Sequence, residues 1–92
     1  MRVGIIGLGY RLAYLARVFT AARSDFEIVG YVDPAPAGLP YTKEHGVSVG
    51  KQYDSLEALI DNGNLDLLMV GSPNHMHLEH IRIGLERGMK LF

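Results

Sequence analysis

The chain has 92 residues, 48% of them apolar and 21% charged, with a formal net charge of −1 and no cysteine. That length suits one domain whose modest core hides about 60–70% of the surface of the unfolded chain. The charge balance argues against a nucleic-acid surface, and the lack of cysteine rules out a disulfide framework, thiolate chemistry and a zinc–thiolate site. No run reaches the ~18 apolar residues of a membrane span, and the apolar run after Met1-Arg2 is too short for a signal peptide. A cytoplasmic protein without nucleic-acid or membrane partners is therefore expected.

Arg2 to Leu8 is almost continuously apolar, the pattern of a parallel strand buried on both faces. It ends in Gly7-Leu8-Gly9, and Tyr10 to about Ala22 then reads as a helix with Leu12, Leu15, Ala16 and Phe19 on its inner stripe. Phe26 to Val32 is a second strand, closed by Asp33-Pro34. A Pro/Ala/Gly loop runs to Pro40, and Tyr41 to His45 forms a short helix ended by Gly46. Val47 to Val49 is expected as the third strand. Ser55 caps a helix to about Asp61 that turns Leu56, Leu59 and Ile60 inward. Asp66 to Gly71 is the fourth strand. After Ser72-Pro73-Asn74, a last helix from about His75 to Arg87 is expected to bury Leu78, Ile81 and Leu85. Gly88 ends it, and Leu91-Phe92 begins a fifth strand.

Alternation of this kind implies right-handed crossovers and a doubly wound parallel α/β sheet in a single domain spanning 1–92. Ligands of such sheets bind at the carboxyl ends of the strands, where the order switches between the first and fourth. The Gly-x-Gly turn and Ser72-Pro73-Asn74 both fall there. Free N–H groups at the start of the first helix, with its dipole, favour a phosphate. Gly7 permits the turn, and Gly9 lets a pyrophosphate approach without meeting a Cβ. Tyr10 and Arg11 either reach it or form a partly exposed first turn, while Leu12 fills the place of the usual third glycine.

Asp33 follows Gly9 by 24 positions, near the spacing at which a carboxylate meets the adenosine ribose of a dinucleotide. The same charge repels the 2′-phosphate of NADP, so NAD is the expected cofactor. A bare Asp-Pro turn is the competing reading of this pair. His75, His77 and His80 do not make a metal site, because only His77 and His80 share a helical face and no further ligand is spaced to join them. His45 reads as a helix-end residue, and Asp54, Glu57 and Asp61 as a solvated face. No residues form a catalytic constellation.

Gly7-Leu8-Gly9, Asp33 and Ser72-Pro73-Asn74-His75-Met76-His77, each placed after its strand, resemble the N-terminal half of the Gfo/Idh/MocA oxidoreductases. Leu85 to Phe92 is also similar to that family's helix and fifth strand, so the resemblance spans essentially the whole chain. It implies a Rossmann domain that binds NAD or NADP, followed by a second α/β domain that supplies the substrate pocket. It also implies that Gly7, Leu8, Gly9, Tyr10, Arg11 and Leu12 surround the pyrophosphate. Asp33 and Pro34 would hold the adenosine side, and Ser72, Pro73, Asn74 and His77 would line the dinucleotide toward the nicotinamide. The family's Glu-Lys-Pro element would come just after the fifth strand, where this sequence stops. A fragment that does not turn over substrate alone is thus expected, whose parent moves hydride between NAD(P) and a sugar, polyol or related compound. Two alternatives are a non-catalytic dinucleotide or redox sensor, and a module that self-associates through its sheet edge.

Overall fold

A computed structural model describes the backbone of all 92 residues and the side chains of all but Asn74. Five parallel strands form one sheet: β1 (Arg2–Ile6), β2 (Glu27–Val32), β3 (Lys51–Gln52), β4 (Leu67–Val70) and β5 (Lys90–Leu91), in the order β3-β2-β1-β4-β5. The helices are α1 (Tyr10–Ala22), α2 (Leu39–Glu44), α3 (Leu56–Gly63) and α4 (Asn74–Glu86). The central strand β1 pairs Val3 with both Ile28 and Leu67. Its near-continuous apolarity follows from helices covering both faces.

Two cores result. On one face, α1 packs Leu12, Ala13 and Ala16 onto Val3, Ile5 and Met69, with Leu39 and Tyr41 of α2 beside them. On the other, α3 packs Leu56, Leu59 and Ile60 onto Ile6, Leu68 and Val70, with Ile81 and Ile83 of α4 beside them. Leu15 and Phe19 of the expected α1 stripe are partly buried. Phe19 stacks edge-on to Phe92 at 5.4 Å, which ties α1 to the end of β5.

Ser55 caps α3 as its sequence predicts, its hydroxyl accepting from the Ala58 N–H at 3.0 Å. Replacing it leaves that amide without its acceptor. Ser55→Ala is expected to lower stability by about 1 kcal/mol, read as a lower urea midpoint at unchanged slope.

Two expectations are corrected. The third strand is Lys51–Gln52, not Val47 to Val49. Val47 and Val49 pack into the core, but the ladder with β2 begins only after Gly50, pairing Gly30 with Lys51 and Tyr31 with Gln52. The inner face of α4 also differs from the one expected, for Leu78 and Leu85 are 79% and 63% exposed. The helix sets Gly84 against the sheet instead, so close that an added Cβ would lie 2.8 Å from Leu91 Cδ2. With Ile81, Ile83 and Gly84 turned to the sheet, Leu78 and Leu85 fall on the solvent side of the helix.

Candidate functional site

At the carboxyl ends of β1, β2 and β4 a cavity of 480 Å³ opens between α3 and α4. Gly7, Asp33, Pro34, Ser72 and Pro73 all line it. They come from three strand ends that lie far apart in sequence and meet only because β1 sits between β2 and β4. Further residues join them that the sequence reading assigned to other roles or passed over, among them Gln52, Tyr53, Met76, Glu79 and His80. Asp54 and Glu57, read as a solvated face, are exposed and also reach its wall.

The glycine turn is built as the sequence requires. Gly7 has φ +85°, and its N–H donates to Val32 O at 2.9 Å. Beside Gly9 an added Cβ would meet nothing within 4 Å. The backbone there is open, as close approach of a pyrophosphate demands. The first bond within α1 runs from Ala13 N–H to Gly9 O at 3.0 Å, so the N–H groups of Tyr10, Arg11 and Leu12 belong to the open first turn. Tyr10 and Arg11 have exposed side chains, while Leu8 and Leu12 are buried.

Leu12 explains how the helix does without a third glycine. Its side chain lies where a Cβ at position 71 would sit, 2.6 Å from Leu12 Cδ1. A glycine at the end of β4 therefore makes the room that a glycine on the helix would otherwise provide.

Asp33 connects the two halves of the site. One carboxylate oxygen accepts from the Leu8 N–H at 2.8 Å, and the other from the Ala35 N–H at 2.9 Å. Its backbone carbonyl accepts from Gln52 Nε2 at 2.9 Å. Each carboxylate oxygen has two acceptor sites, so one remains on each for a ligand hydroxyl. The segment after Asp33 closes on the turn itself: Gly38 N–H donates to Leu8 O at 2.9 Å.

At the other side, Ser72 stands between two histidines of α4. Its carbonyl lies 3.3 Å from His77 Nδ1, and its hydroxyl 2.7 Å from His80 Nδ1. Burial holds the His80 imidazole below its ordinary value of 6.5. His77 does not line the cavity, and Asn74 lies outside the described side chains. His45 caps the end of α2, as expected. Among the described residues no three metal-ligating side chains converge, and no helix is long and apolar enough to cross a membrane.

Comparison with known proteins agrees with this geometry. Residues 1–92 match the family described as "Oxidoreductase family, NAD-binding Rossmann fold". Over 93 residues the chain is 30% identical to the oxidoreductase subunit assigned to a UDP-kanosamine synthase in Amycolatopsis mediterranei (strain S699), covering 100% of this chain and 25% of that protein. Among solved structures it is similar to myo-inositol 2-dehydrogenase from Lactobacillus plantarum, at 26% identity and a TM-score of 0.79. It is likewise similar to scyllo-inositol dehydrogenase from Lactobacillus casei with bound NAD(H) and scyllo-inositol, at 26% identity and a TM-score of 0.73. Each alignment covers 100% of this chain and 27% of the other. The chain thus spans about a quarter of the length of these relatives.

Proposed function

The chain belongs to the oxidoreductase family with an NAD-binding Rossmann fold, and we propose that it is the NAD-specific cofactor domain of a dehydrogenase acting on a sugar, polyol or related hydroxyl compound. The observation that carries the choice of NAD is the character of the cavity. Asp33, Asp54, Glu57 and Glu79 line it, and among the described residues no lysine or arginine does. A 2′-phosphate brought there would meet carboxylates without a compensating cation. The ribose hydroxyls of NAD find the two free acceptor sites on Asp33.

In this reading the pyrophosphate lies over Gly9 and the open first turn of α1, with Gly7, Leu8, Tyr10, Arg11 and Leu12 around it. The adenosine half enters the cavity beside Asp33 and Pro34. Ser72, Pro73, Asn74 and His77 line the path toward the nicotinamide. A bound nicotinamide supplies hydride transfer, and the domain's own work is to hold and orient it. The carbonyl of Ser72 only accepts, so in the contact at 3.3 Å His77 Nδ1 is the donor. The inositol and sugar chemistry of the relatives supports the substrate class. The acid–base groups that act on substrate would lie in a further domain, so the domain by itself is expected to bind cofactor without turnover. The cysteine-free composition supports residence in the cytosol.

Calorimetric titration of the chain with NAD and with NADP tests this. Saturable NAD binding, with NADP weaker by about tenfold or more, is expected. Equal affinity for the two would remove the basis for NAD specificity, and no binding of either by the folded chain would overturn the cofactor assignment.

A further inference from the structure

Gln52 extends the sheet by one bond beyond its last strand pair. The register of β2 and β3 sets Tyr31 opposite Gln52, and the Tyr53 N–H donates to Tyr31 O at 2.8 Å. In a parallel ladder the next carbonyl of β2 to face the same way is that of Asp33, and its donor would be the Ser55 N–H. The chain has turned away by then, because Ser55 is already the cap of α3. The side-chain amide of Gln52 takes over that role, its Nε2 donating to Asp33 O at 2.9 Å. A carbonyl only accepts, so it is the nitrogen of the amide that faces it.

This bond holds the residue whose carboxylate is the candidate ribose ligand. Leu8 N–H and Ala35 N–H donate to the Asp33 carboxylate, and Gln52 to the Asp33 carbonyl. Pro34 has no N–H, so the peptide after Asp33 offers the sheet no donor of its own. Gln52 ties that peptide to β3 instead. In the free protein the bond is exposed, and water replaces it at little cost. A dinucleotide seated in the cavity changes this, because Gln52 lines the wall. Covered by the ligand, the bond is shielded from water and gains in strength.

We propose that Gln52 is a positioning residue for cofactor binding, acting through Asp33 on the adenosine ribose. This rests on the reading above, in which Asp33 accepts from the ribose hydroxyls. The bond contributes more in the complex than in the free chain, so its loss appears in affinity rather than in stability. Removing it is expected to weaken NAD binding by about five- to tenfold, with the melting temperature of the free chain unchanged. The loss falls on the ribose, so NAD gives up part of the advantage that its 2′-hydroxyl confers over a 2′-deoxyadenosine analogue. It also requires the carboxylate, and vanishes where Asp33 is already alanine.

The test is calorimetric titration of the chain with NAD and with its 2′-deoxyadenosine analogue, with thermal melting of the same samples. Wild type, Gln52→Met, Gln52→Ala, Asp33→Ala and the double variant Gln52→Met/Asp33→Ala are compared. Methionine keeps the length of glutamine without its amide, and alanine removes the length as well. Both single variants at position 52 are expected to bind NAD more weakly and to prefer it less over the analogue. In the Asp33→Ala background, Gln52→Met is expected to change NAD affinity by less than about twofold. NAD affinity within about twofold of wild type in both variants overturns the proposal. A loss shared equally by the analogue, or repeated in full without Asp33, also overturns it, because the effect then does not pass through the carboxylate. A melting temperature lowered as far as in Asp33→Ala would assign the bond to the fold instead. Each of these results leaves the cofactor assignment intact. Folded wild type that binds no NAD overturns that assignment and the role of Gln52 with it.

Discussion

Asp33→Ala is expected to weaken NAD binding by about 10–100-fold, the loss that follows from removing hydrogen bonds to a charged acceptor. The expected effect has two sources, and they can be separated. The ribose loses its carboxylate, and the glycine turn loses the oxygen that the Leu8 N–H donates to at 2.8 Å. That amide is partly buried, and leaving it without an acceptor costs about 1–3 kcal/mol of stability. Asp33→Asn keeps one carbonyl oxygen and so retains the bond to Leu8 or the one to Ala35, but not both. It is expected to fall between wild type and Asp33→Ala in stability, and to bind NAD weakly because it lacks the charge. Calorimetry and thermal melting on the same samples check this. NAD affinity within twofold of wild type in Asp33→Ala would exclude Asp33 as the ribose ligand.

Gly7→Ala is expected to cost about 3 kcal/mol or more, a large part of the stability of a domain this size. Its φ of +85° is unfavourable for any residue with a Cβ. Space is the greater obstacle: the added carbon would lie 2.5 Å from Ser72 N and 2.6 Å from Gly71 C. Both are backbone atoms at the end of β4 and cannot rotate aside. Gly71 N–H in turn donates to Ile6 O at 2.8 Å, so moving β4 away would open the seam between the two central strands. Urea unfolding monitored by circular dichroism measures the effect. A midpoint equal to wild type would show that the seam yields without cost.

Much of this architecture was legible because apolarity and pairing coincide at the centre of the sheet. β1, β2 and β4 are apolar runs and they are also the paired strands. At the edge the two part company. Val47 and Val49 are apolar because they are core, while Lys51 and Gln52 form the ladder with exposed side chains. Apolar content reports burial, and an edge strand need have little of it. The face of α4 escaped for a related reason. Leucines at helical spacing suggest an inner stripe, but the face that packs on the sheet carries Ile81, Ile83 and Gly84 instead. A glycine inside a helical pattern, costly by propensity alone, was the available sign. In the site, Gly7, Asp33 and Ser72 were legible from their places after strands. His80 was weighed only as a metal ligand or a surface residue. Its spacing of eight from Ser72 carries no meaning until the helix start folds the pair together.

The place of β1 in the middle of the sheet bears on how the chain is made. Val3 pairs with Ile28 on one side but with Leu67 on the other. As the chain leaves the ribosome, β1, α1 and β2 are complete long before β4 exists. From Val32 to Val70 a further 38 residues must be added, which takes about 2–8 s at ordinary synthesis rates. For that interval the nascent protein carries a finished β–α–β unit whose most buried strand has one edge unpaired. That is the kind of edge on which neighbouring chains join. The strand that organises the native sheet is thus also the one most in need of protection while the protein is being born.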